Sequence, residues 1–168
     1  MGTVQTEPPF DLEINTAAWH PRAVRLYRYW RSIRPPGAGL PGRRDFDPVA
    51  VPDLLPGICL LDVQQKPFRL RYRLVGTGIV EATGREVTGQ WLDEAHPHIR
   101  GNTQFFDRYR GVVETGVPSW RKGKPLLWTY RDIGTIENLL VPLAMDGRTV
   151  DILCTCTVLY RPDGSVTR

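Results

Sequence analysis

Lysine is nearly absent from this chain of 168 residues. Lys66, Lys122 and Lys124 are the only three, so the net charge of +4 and the pI near 9.2 rest on arginine. The arginines are dispersed and no polybasic block stands out, a balance that permits a nucleic acid or acidic protein partner without requiring one. Long apolar runs are missing too. The longest, such as 139–145, fall far short of the ~20 residues a membrane helix needs, which excludes a helix across a bilayer. Cysteine is scarce and odd in number: Cys59, Cys154 and Cys156 all sit in apolar, strand-like runs. That placement excludes a disulfide framework and suits reduced, buried thiols. Residues 1–17 have neither a basic start nor an apolar segment, carry Glu7, Asp11 and Glu13, and contain Pro8 and Pro9. No secretory signal fits them, and the expectation is a cytoplasmic protein with a flexible N-terminal arm over 1–17.

What is present is enough for one core: 41% of the residues are apolar, and Trp, Tyr and Phe are spread along the chain. The most informative stretch is 68–89. Phe68, Leu70, Tyr72 and Leu74 alternate with Arg69, Arg71 and Arg73, the period of a half-buried strand in an antiparallel sheet. Gly76, Thr77 and Gly78 then break the strand and release a short helix ending at Gly84. Upstream, Trp19, Ala23, Leu26, Trp30 and Ile33 fall within a stripe about 80° wide at helical spacing, with Arg25, Arg28 and Arg31 opposite. Pro35, Pro36 and Gly37 close this amphipathic helix, expected over 18–35. Its stripe needs a cover, either the outer face of a sheet or a second copy of the helix.

Residues 40–57 hold four prolines and read as an irregular connector. Strands are expected over 58–63 and 68–75, and a long helix after Pro97 in which Ile99, Phe105, Phe106, Tyr109, Val112 and Val113 recur at three and four. Strand-like runs follow at 119–122, 126–130, 133–145 and 148–160, with a hairpin turn at Asp146 and Gly147. The order is helix, two strands, a helical crossover, then three strands, which defines an α+β domain. For the run 133–145 both faces are apolar, Leu139, Val141 and Leu143 on one and Ile136, Leu140 and Ala144 on the other. The inward face therefore stays open, and a second covered surface is implied.

This arrangement, with the stretches RYRLVGTGIVEATGREVTGQ, ENLLVPLAMDGRTVDIL, LYRYWRSIR and LPGRRDFDPVAVPDLLPGICLLDV, resembles the PAS superfamily. More narrowly, it is similar to small bacterial PAS proteins made of a single domain. The resemblance implies a five-stranded antiparallel sheet in the order 2-1-5-4-3, a helical crossover closing one face over a small pocket, and a domain over 36–161 with a tail at 162–168. Gly84 and Gly89 match glycines that punctuate the helices of such domains. No asparagine stands at Gly76 or Thr77, where wider PAS domains often have one, so no pocket role transfers there.

Little here carries catalysis. No Ser or Cys sits in a nucleophile elbow, and the Gly76 to Gly78 segment lacks the spacing and lysine of a phosphate loop. Asp132, Glu137 and Asp151 lie on or beside strands, where a solvated or paired outer-face role is expected. No catalytic or metal residue is assigned, and an enzyme is not expected. Cys154 and Cys156 share a face of the last strand with Cys59 on its neighbour in the implied order. Three thiols without a histidine make a poor metal site, so structural cysteine is the reading. His96 and His98 flank Pro97 at a helix start and are expected in a surface loop rather than as haem or metal ligands. The cysteine that flavin-type light sensors place early in the long helix has no counterpart from 94 to 111. No haem or flavin signature is present, and any cofactor is left unknown.

What remains is a pocket. Tyr72, Leu74, Phe105, Tyr109, Cys154 and Cys156 are expected to converge between sheet and helices, where aromatic, mostly apolar walls suit a small organic ligand. A filled core is the alternative. Function follows from the resemblance: a sensory or regulatory PAS module in signal transduction, a homodimer acting on a partner such as a histidine kinase. Trp19, Leu26, Trp30 and Ile33 are the candidate dimer or partner interface. Because the sequence stops eight residues after Tyr160, the signal is expected to pass by protein contact. The competing reading is a nucleic-acid binder using Arg22, Arg25, Arg28 and Arg31, though no base-reading motif accompanies them.

Overall fold

The computed structural model describes residues 14–167, so the expected arm lies largely outside the described residues. Five antiparallel strands form one sheet, β1 Ile58–Gln64, β2 Arg69–Val75, β3 Ser119–Gly123, β4 Thr135–Leu143 and β5 Ile152–Tyr160. They run in the order β2-β1-β5-β4-β3. Four α-helices accompany them, α1 Pro21–Ser32, α2 Thr77–Thr83, α3 Leu92–Ala95 and α4 Thr103–Thr115. The fold is thus α+β, with the strand order expected of a PAS-like sheet.

The two longest strands, β4 and β5, are apolar on both faces, and both faces are covered. Cross-strand partners share a side. Cys156 opposes Leu139 and Cys154 opposes both Val141 and Leu60, whereas Thr155 opposes Leu140 and Cys59. The first set faces α1. Trp30 is buried there, and its indole Nε1 donates to the Pro142 carbonyl at 2.8 Å. Trp19 stacks on Trp120 with ring centroids 5.6 Å apart. Of the two covers open to the helix stripe, α1 takes the outer face of its own sheet, adding Tyr27 to the buried Ala23, Leu26 and Trp30. The second set faces α4 and the segments around it. Every residue from Ile136 to Leu143 is therefore buried, which is why periodicity alone could not choose an inward side.

Where α1 begins, the sheet supplies a buried anion. Glu137 is 1% exposed, and its carboxylate accepts from the His20 backbone N–H, from Trp120 Nε1 at 2.8 Å and from the Tyr160 hydroxyl at 3.0 Å. Lys122 Nζ lies 4.0 Å away. A buried carboxylate is tolerable only with this degree of satisfaction. The outer-face role expected for Glu137 is a paired one, roofed by the chain leading into α1. Burial and the adjacent carboxylate push the Tyr160 phenol up to about 12.

β2 departs from strict alternation at one point. Leu60 opposes Leu74 but Leu61 opposes Tyr72, so Arg73 is an extra residue and the register slips. Asp62 explains the slip in part, since it holds Arg71 at 3.2 Å and Arg73 at 2.6 Å. Beyond the bulge Leu74 turns outward, 42% exposed, and Val75 takes the buried position. Leu74 therefore leaves the pocket set in which alternation had placed it. The outer edge of β2 is capped by 89–91, with Tyr72 N–H donating to Gln90 and Gly89 N–H to Tyr72, a common protection against edge pairing. At Gly76 a Cβ would collide with the carbonyls of Leu55 and Pro56, and Gly84 ends α2 at φ 66°.

Two further expectations are corrected. Residues 126–130 are not a strand. Pro125 has no N–H to contribute to a ladder, β3 pairs with β4 only as far as Gly123 opposite Ile136, and the Leu126 carbonyl meets His98 Nε2 at 2.6 Å. The last hairpin turns where Asp146 and Gly147 indicate, but β4 stops at Leu143 and β5 starts only at Ile152, with Asp146 Oδ1 capping the Arg148 and Thr149 N–H groups between them. The tail expected over 162–168 folds back, with Thr167 N–H donating to Leu159 at 2.8 Å.

Trp30→Ala removes a fully buried indole and its hydrogen bond, and is expected to lower the unfolding free energy by about 3–5 kcal/mol. Urea unfolding followed by circular dichroism measures it; a loss below about 1 kcal/mol would mean that α1 does not pack on its own sheet.

Candidate functional site

Between α4, the irregular segment 126–128 and the inner side of β3, β4 and β5 the structure leaves a cavity of about 330 Å³. α4 is started by Asn102, whose Oδ1 accepts from the Phe105 N–H at 3.0 Å, and ended by Gly116 at φ 68°. Phe105, Tyr109, Val112 and Val113 form its buried stripe, and Arg108 lies on the flank of that stripe facing β3 and β4. Phe105 and Tyr109 form one wall, Leu126, Leu127 and Trp128 a second, and Ile136, Asn138 and Thr157 the floor. The helix after Pro97 thus begins later than the sequence implies: residues Pro97–Ile99 make a single 3₁₀ turn, and α4 starts at Thr103.

The polar groups of the cavity are arginine, amide and the hydroxyls of Tyr109 and Thr157, with no carboxylate among the lining residues. Arg108 Nε donates to Ser119 Oγ at 2.9 Å, Nη1 to Asn138 Oδ1 at 2.8 Å, and Nη2 to the carbonyls of Ser119 and Asn138 at 2.7 and 2.9 Å. Asn138 Nδ2 in turn donates to Thr157 Oγ1 at 2.9 Å. Removal from water lowers the guanidinium pKa to about 10, and it still carries its charge at neutral pH. Arg121 also lines the cavity and donates from Nη2 to the Lys124 carbonyl at 2.8 Å.

Behind Trp128 lies an aromatic and imidazole cluster. His96 is 1% exposed; its Nε2 is 2.9 Å from the Tyr72 hydroxyl, and its ring meets Trp128 edge to face at 4.7 Å. Its Nδ1 has no hydrogen-bond partner. Burial, with Arg85 and His98 adding repulsion, pulls the imidazole pKa down to about 4, and burial raises the Tyr72 phenol well above its ordinary value. His96 is thus a neutral core histidine and not the surface-loop residue that Pro97 suggests. His98 is the more exposed of the two.

The sequence-derived pocket set divides. Phe105 and Tyr109 line the cavity, and Tyr72 stands behind it, 6.2 Å from Trp128 by ring centroid. Cys154 and Cys156 lie on the opposite side of the sheet, under α1, and Leu74 is turned out by the bulge. Cys59 belongs to the inner side opposite Thr155, so it does not join the other two thiols. Burial raises all three, Cys59 to about 11 and Cys156 to about 12. Among the described residues no group of three or more His, Cys, Asp or Glu side chains is placed to hold a metal ion. Of the interface set, Leu26 and Trp30 are buried within the chain, while Trp19 and Ile33 keep some surface. The arginines of the nucleic-acid reading are partly engaged: Arg25 pairs with Asp53 at 2.9 Å and Arg31 lies over the Tyr27 ring.

Sequence reasoning missed Arg108, Arg121, Asn138 and Trp128, and placed His96 in a surface loop. A faint signal existed for two of them: Arg108 interrupts the flank of an apolar helical stripe, and Asn138 follows Glu137 in an otherwise apolar strand. A sheet of this order, crossed by helices that leave a cavity on one face, defines a sensor-type domain. A PAS domain family model matches residues 18–156, and the chain belongs to that family. The match takes in α1 as well as the sheet. No curated protein matches the chain, and no helix among the described residues is long and apolar enough to cross a membrane.

His96 gives a pH dependence with a defined sign. Its folded pKa lies below the unfolded value near 6.5, so the unfolded state takes up the proton first. Stability is fully present above about pH 6.5 and falls as pH drops toward 4, by on the order of 3 kcal/mol. Urea unfolding from pH 7.5 to 4.5 is expected to show this loss in the wild type and a shallower one in His96→Gln. Parallel profiles would mean that His96 is solvated.

Proposed function

We propose that the chain is a cytoplasmic sensory or regulatory PAS module that binds a small organic molecule in the cavity between α4 and β4. It relays occupancy by contact with a signalling protein such as a histidine kinase. The observation that carries the reading is the cavity itself: about 330 Å³ is near the lower end of the size range of small-molecule sites, and its walls combine aromatic surface with a few fixed polar groups. A filled core would have placed side chains there.

A homodimer belongs to the same reading, with an interface narrower than the helix stripe suggests. Trp19 and Ile33, at the two ends of α1, are the members of the original set with surface left for a partner. The family supports signal transduction, and this reading assigns the cavity no catalytic role.

The test is an NMR screen of the isotopically labelled chain against mixtures of small metabolites. At least one mixture is expected to move the Gln104 and Arg108 amides and the Trp128 indole resonance, and Ile136→Phe, which fills the floor, to abolish the shifts while keeping the folded spectrum. A screen in which no mixture moves these resonances would remove the ligand-binding reading.

A further inference from the structure

The cavity has a charge as well as a shape. Among the described residues, five exposed or half-exposed arginines find carboxylates: Arg25 with Asp53, Arg69 with Asp93 and Glu94, Arg71 and Arg73 with Asp62, Arg110 with Asp107. Arg108 is the reverse case. It is the guanidinium most removed from water in this comparison, and its acceptors are all neutral, namely Ser119 Oγ, Asn138 Oδ1 and two backbone carbonyls. A guanidinium has five N–H groups. Those four bonds leave one N–H on Nη1 unassigned, and the charge meets the face of the Tyr109 ring at 5.9 Å but no carboxylate. Buried charges are ordinarily paired, so an uncompensated one beside open space is a sign of what the space receives.

Arg121 strengthens the inference from a second strand. It lines the same cavity, donates to the Lys124 carbonyl, and pairs with no carboxylate among the described residues. Two cations and no anion make the cavity positive, while Phe105, Leu127, Trp128 and Ile136 make most of the remaining wall apolar. We propose that the cavity takes a small organic monocarboxylate with a flat or branched apolar body, its carboxylate held by Arg108 and Arg121. This rests on the ligand-binding reading above and narrows it to a chemical class. A bare inorganic anion would leave the aromatic walls against water. A monocarboxylate satisfies both ends: charge-assisted hydrogen bonds at one, burial of apolar surface at the other.

Calorimetric titration of the full chain with benzoate, phenylacetate and 3-methylbutanoate, each beside its uncharged amide, and with inorganic phosphate, tests this at pH 7.5. At least one acid is expected to bind about tenfold or more tightly than its amide. Arg121→Gln should remove that preference, weakening the acid about tenfold more than its amide. Arg108→Gln is less suitable, because the same guanidinium ties α4 to β3 and β4. Acid and amide binding equally would overturn the proposal and leave the cavity a ligand site of another kind. Phosphate binding more tightly than any acid would overturn it in favour of an inorganic-anion site. Failure of the whole panel to bind would also overturn it, and only a silent metabolite screen as well would remove the ligand reading.

Discussion

The constraint on which the rest of the structure depends is that β4 and β5 are buried on both faces. A sheet that is apolar on one side needs one layer of cover; this one needs two, and the chain supplies them from its two helical regions. α1 covers the side carrying Cys154, Cys156, Leu139 and Val141, and α4 with its neighbours covers the side carrying Cys59, Leu140 and Thr155. The family match that begins ahead of α1 agrees with this: the N-terminal helix is part of the packed unit. The separate helix expected over 18–35 is in this sense the outer layer of the domain.

Each layer is anchored by an ion, Glu137 buried and Arg108 partly so, and the two anchors differ in kind. On the outer side Glu137 is fully occupied by the His20 N–H, Trp120 and Tyr160, with Lys122 nearby. It fixes the start of α1, and its charge is balanced. On the inner side Arg108 bonds Ser119 and Asn138 and fixes α4 over β3 and β4, but no carboxylate balances it. Residues 137 and 138 are neighbours in β4 and point to opposite faces, so one short polar step in an apolar strand serves both layers. The first anchor is complete as it stands, whereas the second sits at the wall of an open cavity.

Much of the fold was legible because the strands and helices carry strong periods. The Phe68 to Tyr72 alternation, the Trp19 to Ile33 stripe and the Asp146-Gly147 turn each state a local rule that the tertiary structure obeys. The cavity was less legible for physical reasons. Alternation assumes a regular ladder, and a one-residue bulge at Arg73, stabilised by Asp62, moved Leu74 to the outside. Cys154 and Cys156 are apolar enough for either face, and only the cross-strand register assigns them to the α1 side. His96 was misread because proline marks a chain break without indicating whether the residue before it is covered. Residues 126–128 have strand-like composition but serve as a wall. Arg108 acts through a long side chain, whose reach no local pattern in α4 reveals.

The central claim is that a guanidinium lies partly buried at the cavity wall, fixed by neutral acceptors and lacking an anion of its own. Hydrogen exchange at the Arg108 Nε–H, followed by NMR, addresses it most directly. The expected result is exchange roughly a hundredfold slower than at the half-exposed Arg110, reflecting protection by Ser119 and by the layer above. Equal exchange rates at the two side chains would place Arg108 in solvent and contradict the account.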